Sequence, residues 1–326
     1  MLVWQIFWVS FWKSVLSVVP IIKYFGDRQF FVHVGIQPEI ISGLALAAGS
    51  SLIFQTSIPN FALLKNRNLL AHHASKLIRQ TGKPIAHQFI ELPTVDSTNK
   101  FALAMVHEGK AEHGTVYFAH EQTEGRGQRG RAWLSSPNEN IIMSVVLAPL
   151  SSIDTHQFLL SMAMACAAFD FIHEIIPENL SIKWPNDLYW RDDKVGGILI
   201  ENIIRGKDPV GSVAGFGINI NQTTFDRRIP NPASLKKITG LNYDPRKLAK
   251  TLCGHIGKYF EWLKTRDENK IIRDYNERLY KRNSRIELKK GQKKFFTTIK
   301  SVSIDGILNT EAPNGKFNHG EVDWVL

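Results

Sequence analysis

The sequence predicts an α+β protein with a small β-rich module at its carboxyl end. From about His87, short runs of β-branched and aromatic residues alternate with stretches of helical character. In residues 285–326 only short alternating strands joined by glycine turns are found, which predicts a small β-barrel appended to the main domain. We therefore expect an N-terminal extension of unknown role at 1–84, a main domain at 85–280 and a C-terminal module at 281–326.

Length and composition exclude several classes of protein. The 326 residues are 44% hydrophobic and 21% charged, as in a globular chain with one large domain and one or two small ones. Cys166 and Cys253 are the only cysteines, which excludes a disulfide framework and a classical zinc site and favours the reducing cytoplasm. The formal net charge is +10, but residues 1–84 hold eight basic and two acidic side chains. The remainder is only mildly basic, and we expect no nucleic-acid partner.

Residues 1–84 carry no pattern that we can assign to a function. Residues 1–26 are apolar enough and just long enough for a membrane-spanning helix, but Lys13 and Pro20 disfavour one. The basic start and small-residue end of a secretory signal are not clear, and no helix pair with a basic recognition helix is found. We expect the segment to take no part in the chemistry. A membrane contact through residues 1–26 and an over-long translation start are the alternatives left open.

Runs rich in β-branched and aromatic residues predict seven strands in the main domain and four in the C-terminal module. The seven strands are Gln88–Leu92, His113–His120, Asn140–Leu147, Leu180–Lys183, Leu188–Trp190, Lys194–Glu201 and Pro209–Ile220. The four are Arg285–Leu288, Phe295–Ile304, Ile307–Thr310 and Glu321–Val325. The fifth and sixth strands form a hairpin around the polar turn Arg191–Asp193. Gly211, Gly215 and Gly217 interrupt the seventh strand, which indicates close approach of a ligand or of another backbone.

Three further stretches are predicted to be helical. They are Asn99–Glu108, Ser152–Ile176 and Lys247–Leu279. Asp96, Ser97 or Thr98 could cap the first helix, and Asp154 or Thr155 stands at the start of the second. The second helix repeats apolar residues at helical spacing, which we interpret as core packing.

Residues 121–133 (EQTEGRGQRGRAW) form the most informative stretch of the chain. Three glycines and three arginines occupy seven consecutive positions, and Trp133 follows closely. Glycines let backbone N–H groups approach an anion, arginines donate to phosphate or carboxylate, and the tryptophan offers a flat face to a purine. A basic, flexible RNA-binding segment is the alternative. Because predicted core strands lie on both sides, we interpret the stretch as a loop of a folded site that closes over an adenylated ligand.

Four motifs follow one another along the chain, and together they resemble those of the biotin protein ligases. They are Asp96–Asn99, Gly125–Trp133, Lys183–Asp187 with Lys194–Glu201, and Gly215–Asn219. The resemblance covers about residues 87–326. It implies a mixed sheet flanked by helices, as in the class II synthetase-like catalytic domain of biotin and lipoate ligases, followed by an SH3-like barrel at 281–326.

The resemblance also implies an activity. The family adenylates biotin with ATP to give biotinyl-5′-AMP, then transfers biotin to a lysine of a biotin carboxyl carrier protein domain, which is the expected partner. Neither step needs an enzyme nucleophile, so catalysis must come from positioning and charge stabilisation. Mg²⁺ is expected to be held mainly by the phosphates, with Asn219 as the one candidate protein contact. The oligomeric state, monomer or homodimer, stays open.

The site residues are assigned by the resemblance in three groups. Catalysis is assigned to Lys194, Arg126 and Asp187. Biotin binding is assigned to Ser97, Thr98, Asn99, Gln122, Gly125, Arg126, Gly127, Gln128, Lys194, Gly197 and Gly217. ATP binding is assigned to Arg129, Arg131, Trp133, Lys183, Asn186 and Asn219.

Several of these roles have an alternative. Lys194 is expected to bridge the biotin carboxylate and the α-phosphate, while Asp187 either orients Lys194 or takes a proton from the acceptor lysine. Arg129 and Arg131 either contact phosphates or brace the loop, with Arg131 the better candidate for phosphate. Trp133 either stacks on adenine or packs beneath the loop.

At Gln128 the chain departs from the family, which often has arginine or lysine at that position of the loop. A neutral amide supplies no charge to hold the adenylate, so we expect weaker retention of biotinyl-AMP. A lipoate–protein ligase shares the fold, but the arginine–glycine loop and the Lys183–Asp187 motif favour biotin. A biotin-sensing transcriptional repressor and a membrane-attached binding protein without catalysis are the remaining alternatives.

Overall fold

A computed structural model of the chain describes residues 82–150, 157–205, 208–265, 267–311 and 315–325. All of them belong to one compact unit. The expectations for residues 1–81 and for Asp154 and Thr155 as helix caps concern residues outside this description.

A seven-stranded mixed sheet forms the centre of the main domain. Its strands are β1 (Gln88–Val95), β2 (Thr115–Gln122), β3 (Asn140–Leu147), β4 (Leu180–Lys183), β5 (Asp187–Trp190), β6 (Asp193–Arg205) and β7 (Asp208–Asn219). The spatial order is β1-β2-β3-β7-β6-β5-β4. β1 and β2 are parallel, and all other neighbours are antiparallel. The predicted mixed sheet is therefore confirmed, with β3 and β4 at the predicted bounds and the other five shifted at one or both ends.

Five helices pack around this sheet in the described residues. They are α1 (Thr98–His107), α2 (Gln157–His173), α3 (Leu235–Thr239), α4 (Pro245–Lys264) and α5 (Glu268–Glu277). α2 lies against β4, β5 and β6 and also against α4 and α5. This position explains why α2 is apolar on nearly all sides rather than along a single stripe. Within the described chain, no helix combines the length and apolar character needed to cross a membrane.

The single long helix predicted at Lys247–Leu279 is wrong, because the structure has two helices there. α4 begins at Pro245, where Asp244 accepts hydrogen bonds from the next turn, and ends at Lys264. α5 then starts after Asp267. The intervening sequence Lys264–Lys270 contains no apolar residue, so this stretch has nothing to bury against the core and interrupts the apolar face. The sequence analysis also missed the short helix α3.

The C-terminal module is an antiparallel sheet of five strands. They are β8 (Arg285–Lys290), β9 (Lys293–Val302), β10 (Leu308–Thr310), β11 (Lys316–Phe317) and β12 (Asp323–Trp324). Their order is β11-β10-β9-β8-β12. Four of them were predicted with shifted bounds, whereas β11 has only two residues and gave no alternating pattern.

Two buried polar contacts attach this sheet to the main domain. The side chain of Asn276 in α5 donates from Nδ2 to the carbonyl oxygen of Val302 at 3.0 Å and accepts from its N–H at 2.6 Å. The indole of Trp184 donates to the carbonyl oxygen of Gly306 at 3.0 Å. Backbone groups of the module that would otherwise be buried without partners are thereby paired.

Replacing Asn276 by alanine should destabilise the protein strongly. Both backbone groups of Val302 would lose their partner, and unpaired buried groups cost about 1–3 kcal/mol each. We expect the free energy of unfolding in urea to fall by about 2–4 kcal/mol. The control is Asn269→Ala, which removes an exposed amide from the same helix and should change stability by less than about 0.5 kcal/mol. Equal effects of the two variants would contradict the proposed role of Asn276.

Candidate active site

A cavity of about 860 Å³ opens beside β6 and β7. Its wall is built from the start of α1, the end of β2, the loop after β2, the β4–β5 turn, residues 225–232 and the C-terminal segment 319–324. Every site residue predicted from the sequence lines this cavity, with the exception of Gly125. Segments far apart in the chain therefore meet in one place.

Gly125 lies beneath the loop rather than on the cavity wall. It is buried, and a Cβ atom there would collide with the carbonyl oxygen of Trp133 and the side-chain amide of Gln122. The Trp133 N–H donates to the Gly125 carbonyl at 2.9 Å. Glycine is needed here because two backbone segments approach more closely than a side chain would permit.

The arginine–glycine loop is an ordered hairpin at the cavity mouth. The N–H of Gly127 donates to the carbonyl oxygen of Arg131 at 2.7 Å, and the N–H of Arg131 donates to that of Gln128 at 3.2 Å. At its tip, Arg129 and Gly130 have φ angles of 56° and 73°, in the left-handed region that favours glycine. The loop is therefore part of the folded site, framed by β2 and β3 as expected.

A network of polar side chains forms the end of the cavity near α1. Gln122 Oε1 accepts from the N–H of Thr98 at 2.8 Å and from its hydroxyl at 3.3 Å. Ser97 is the residue before the helix, but its side chain makes no capping hydrogen bond, so Gln122 satisfies this helix end instead. The Ser144 hydroxyl lies 2.8 Å from Thr98 Oγ1 and 2.6 Å from Asn99 Oδ1.

Three residues that the sequence analysis did not assign to the site hold Asn99. Its Nδ2 donates to Glu201 Oε2 at 2.7 Å, and Ser144 bonds to its Oδ1. A Cβ atom at Gly215 would collide with the Asn99 carboxamide. Ser144 had a visible signal, because it is a polar residue within the apolar strand β3.

Lys194 and Asp187 form an ion pair inside the cavity, with 2.7 Å between Nζ and Oδ1. The pair is only about a quarter exposed, with side-chain exposures of 27% and 28%. Gly197 provides the space, since a Cβ atom there would lie 3.0 Å from Asp187 Oδ1 and 3.4 Å from Lys194 Nζ. The Lys194 backbone is fixed by a 2.6 Å hydrogen bond from its N–H to the Asn231 carbonyl oxygen.

Lys183 provides a second ammonium group in a much drier position. Its Nζ lies 3.2 Å from the Tyr189 hydroxyl and 5.6 Å from the centre of the Trp324 ring. The pKa of Lys183 is lowered to about 8, mainly by burial; Asp187 opposes this shift, and the positive charges of Lys194 and Arg131 add to it.

Asn219 and Asn186 are both buried at the cavity wall. The Nδ2 of Asn219 donates to the carbonyl oxygen of Ala233 at 2.9 Å, which orients the amide and leaves Oδ1 as its acceptor or ligating atom. The Nδ2 of Asn186 donates to the carbonyl oxygen of Ile198. No group of three or more His, Cys, Asp or Glu side chains suitable for a metal ion occurs within the described part of the chain.

Trp133 lies directly on the backbone of Gly217, where a Cβ atom would collide with the indole. Lys194 Nζ is 5.7 Å from the ring centre. One part of the ring is thus packed on the strand while the side chain still lines the cavity. The two roles considered for Trp133, packing and ligand contact, are compatible.

The C-terminal segment contributes residues that no sequence motif indicated. They are His319, Gly320, Val322, Asp323 and Trp324. The pKa of His319 is lowered by burial and by the positive charge of Arg129. A Cβ atom at Gly320 would collide with the Arg129 guanidinium, so this arginine is packed against the C-terminal module.

Similarity to known proteins identifies the family. Residues 91–219 match the biotin/lipoate A/B protein ligase family. The biotin–[acetyl-CoA-carboxylase] ligase of Mycobacterium tuberculosis is 30% identical over 202 residues, which span 60% of this chain and 73% of that protein. The chain belongs to the biotin protein ligase family. This result confirms the resemblance inferred from the four motifs.

Two further comparisons extend the family relationship. The bifunctional ligase/repressor BirA of Escherichia coli is 28% identical over 229 residues, or 68% of each chain. The structure of the Aquifex aeolicus biotin protein ligase in complex with biotin and ATP matches with a TM-score of 0.62 and 25% identity. That match covers 73% of this chain and 98% of the other. The family fold thus occupies the part of the chain that carries the cavity.

Lys183 should titrate near pH 8 in the folded protein. Its pKa is lowered from 10.5 to about 8 because burial disfavours the ammonium. Between these values the unfolded chain binds more protons, so the contribution of Lys183 to stability increases as the pH rises through this window. NMR of protein labelled at lysine Cε would follow the titration, with Lys183→Gln identifying the signal. A midpoint near 10.5 for that signal would contradict the prediction.

Proposed function

We propose that this protein is a biotin protein ligase that adenylates biotin with ATP and transfers biotin to a lysine of a carrier domain. The observation that carries the proposal is the position of the Lys194–Asp187 ion pair. The pair lies in the same cavity as the polar network around Thr98 and the arginine–glycine loop. The names of the relatives support biotin as the substrate and a biotin-dependent carboxylase as the source of the acceptor.

The end of the cavity near α1 suits the biotin ring. A ureido group presents one carbonyl acceptor and two N–H donors, and Thr98, Asn99 and Gln122 supply groups of both kinds. Apolar side chains of Ile142 and Leu199 also line the cavity and can contact the sulfur-containing ring and the valeryl chain. In this arrangement the carboxylate of biotin points towards Lys194.

The other end of the cavity suits ATP. Lys183 and Arg131 provide positive charge for the polyphosphate, and Trp133 offers a face for adenine. Mg²⁺ would be held mainly by phosphate oxygens and water, with Asn219 Oδ1 as the protein ligand. Bound there, it would neutralise phosphate charge.

The ion pair explains how the first step can proceed. A biotin carboxylate oxygen attacks the α-phosphorus of ATP, and the bond from that phosphorus to the bridging oxygen breaks to release pyrophosphate. Lys194 Nζ can donate to the carboxylate and to the α-phosphate at once, which screens their repulsion. Asp187 is placed to orient this ammonium, since the two groups are 2.7 Å apart.

In the second step a neutral lysine of the carrier domain attacks the carbonyl carbon of biotinyl-AMP. The bond to the adenylate oxygen breaks, AMP leaves, and the new amide nitrogen loses a proton. Asp187, the carboxylate next to Lys194, can take this proton, so the orienting role and the base role both remain in the proposal. Neither role needs a covalent bond to the enzyme.

We also propose that the C-terminal sheet closes into an SH3-like barrel, with a domain boundary near residue 281. Phe317 on the edge strand β11 lies 5.7 Å from the Phe295 ring of β9, and Lys290 of β8 lies 5.5 Å from the Phe317 ring. In a flat sheet β11 and β8 would be about 14 Å apart. Strong curvature of this kind favours closure.

The alternative functions have less support. A lipoate–protein ligase would share the fold, but the relatives and the solved structure described above are named for biotin. Repression of transcription would need a DNA-binding element, and no helix pair with a basic recognition helix is recognised in the sequence of residues 1–84.

Lys194→Gln should abolish most of the biotin-dependent exchange of labelled pyrophosphate into ATP. We expect a loss of about 10²–10³-fold, as for other donors that stabilise charge in a transition state. The control Lys247→Gln removes a lysine whose side chain is 83% exposed and should retain full activity. Exchange unaffected by Lys194→Gln would contradict the assigned role, and exchange with lipoate instead of biotin would contradict the function.

Gln128→Arg should slow the escape of biotinyl-AMP from the enzyme. An added cation at this position of the cavity wall would form a charge-assisted hydrogen bond to the adenylate, so escape should be about tenfold slower. Release of labelled adenylate after rapid dilution measures this rate. Gln128→Glu should act in the opposite direction, and equal release rates from all three proteins would show the expectation to be wrong.

A further inference from the structure

Two tryptophans of the cavity wall have a buried indole N–H without a hydrogen-bond partner among the described residues. Across the described ranges, four buried side-chain polar atoms lack a protein partner: Trp133 Nε1, Ser135 Oγ, Thr310 Oγ1 and Trp324 Nε1. Trp133 and Trp324 both line the cavity. An indole nitrogen can only donate, so each requires an acceptor that the described protein residues do not supply. Trp133 is already a candidate for contact with the nucleotide, but Trp324 has no assigned role.

The packing of Trp324 fixes the direction of its indole. Its backbone is paired with Leu288 in the C-terminal sheet, and its ring lies 5.5 Å from the Tyr280 ring. The Tyr280 hydroxyl in turn donates to Asp192 at 2.5 Å. Trp324 also lines a second cavity of about 360 Å³. The unpaired donor is thus held in place by the fold.

The charge next to Trp324 indicates what the acceptor should be. Lys183 Nζ lies 5.6 Å from the Trp324 ring and 3.2 Å from the Tyr189 hydroxyl. Both carboxylates that line the cavity face another cation: Asp187 lies 2.7 Å from Lys194, and Asp323, the neighbour of Trp324, lies 4.0 Å from Arg129. An ammonium and an indole N–H that adjoin one cavity, where the carboxylates already face other cations, favour an anionic oxygen.

We propose that Trp324 is a nucleotide-binding residue whose indole N–H donates to a phosphate oxygen of ATP, beside Lys183. The inference rests on the proposed function for the identity of the nucleotide. It assigns to the C-terminal sheet a direct contact with substrate, which the family motifs of the main domain do not include.

The first test is NMR of the full-length protein with ¹⁵N-labelled tryptophan. Trp324→Phe identifies the Trp324 indole signal, and α,β-methylene-ATP, tripolyphosphate and adenosine are added separately. We expect the nucleotide analogue and tripolyphosphate to move the Trp324 indole proton downfield, and adenosine to leave it in place. A signal that is unmoved while other signals report nucleotide binding would overturn the proposal. A response to adenosine but not to tripolyphosphate would overturn it as well.

The second test is steady-state kinetics of Trp324→Phe, which removes the N–H but keeps an aromatic ring against Tyr280. The KM for ATP should rise about tenfold, as for loss of a hydrogen bond to a charged group, while the KM for biotin stays within about twofold. Trp190→Phe is the matched control, because that indole packs under Arg191 outside the cavity. Equal increases in both KM values, or no increase for ATP, would overturn the proposal.

The two tests separate this inference from the proposed function. If the wild-type protein lacked biotin-dependent exchange, the ligase proposal would fail, but the response of the Trp324 signal to nucleotide would still be decided by the NMR experiment. Normal exchange with an unmoved Trp324 signal would remove only the present inference.

Discussion

The site depends on three glycines in the paired strands β6 and β7. Gly197 pairs directly with Gly217 across these strands, and Leu199 pairs with Gly215 two positions further on. Each glycine admits a different part of the site: the Lys194–Asp187 pair lies against Gly197, and Asn99 and Trp133 lie against the other two. A single Cβ atom at any of them would displace a group that lines the cavity. The glycines therefore determine where the polar groups of the cavity can lie, and the ion pair is one consequence.

The charges in the cavity are arranged for an anionic substrate. Asp187 is paired with Lys194, and Asp323 lies 4.0 Å from Arg129, whereas Lys183 has no ion-pair partner among the described residues of the cavity wall. Lys183 is held in a dry position where its pKa falls to about 8. A phosphate bound beside Lys183 would raise this pKa and favour the ammonium form.

Much of this site could be predicted because its groups occupy contiguous motifs. The β-branched run of β3 and the Lys183–Asp187 motif are local patterns, and strand pairing brings them together. The missing parts are contacts of long range: Ser144 in β3 and Glu201 at the end of the Lys194–Glu201 motif hold Asn99, a pairing that no local pattern indicates. Gly125 belongs to a loop whose composition suits ligand binding, but close packing against Trp133 determines the position of this glycine. The helix break before α5 is visible in the sequence as a polar run. Its role becomes clear only in the structure, where α5 contacts the C-terminal sheet through Asn276.

That sheet is more than an appended module, because it completes the cavity. Its backbone is hydrogen-bonded to the side chains of Asn276 and Trp184 in the main domain. The guanidinium of Arg129 packs closely against Gly320. Of the two roles left open for Arg129, phosphate contact and bracing of the loop, this packing against the module favours bracing. Any movement of the sheet would change the position of the loop and of Trp324 together. The loop and Trp324, both proposed to contact the nucleotide, are therefore connected through the module, although they lie almost 200 residues apart in the chain.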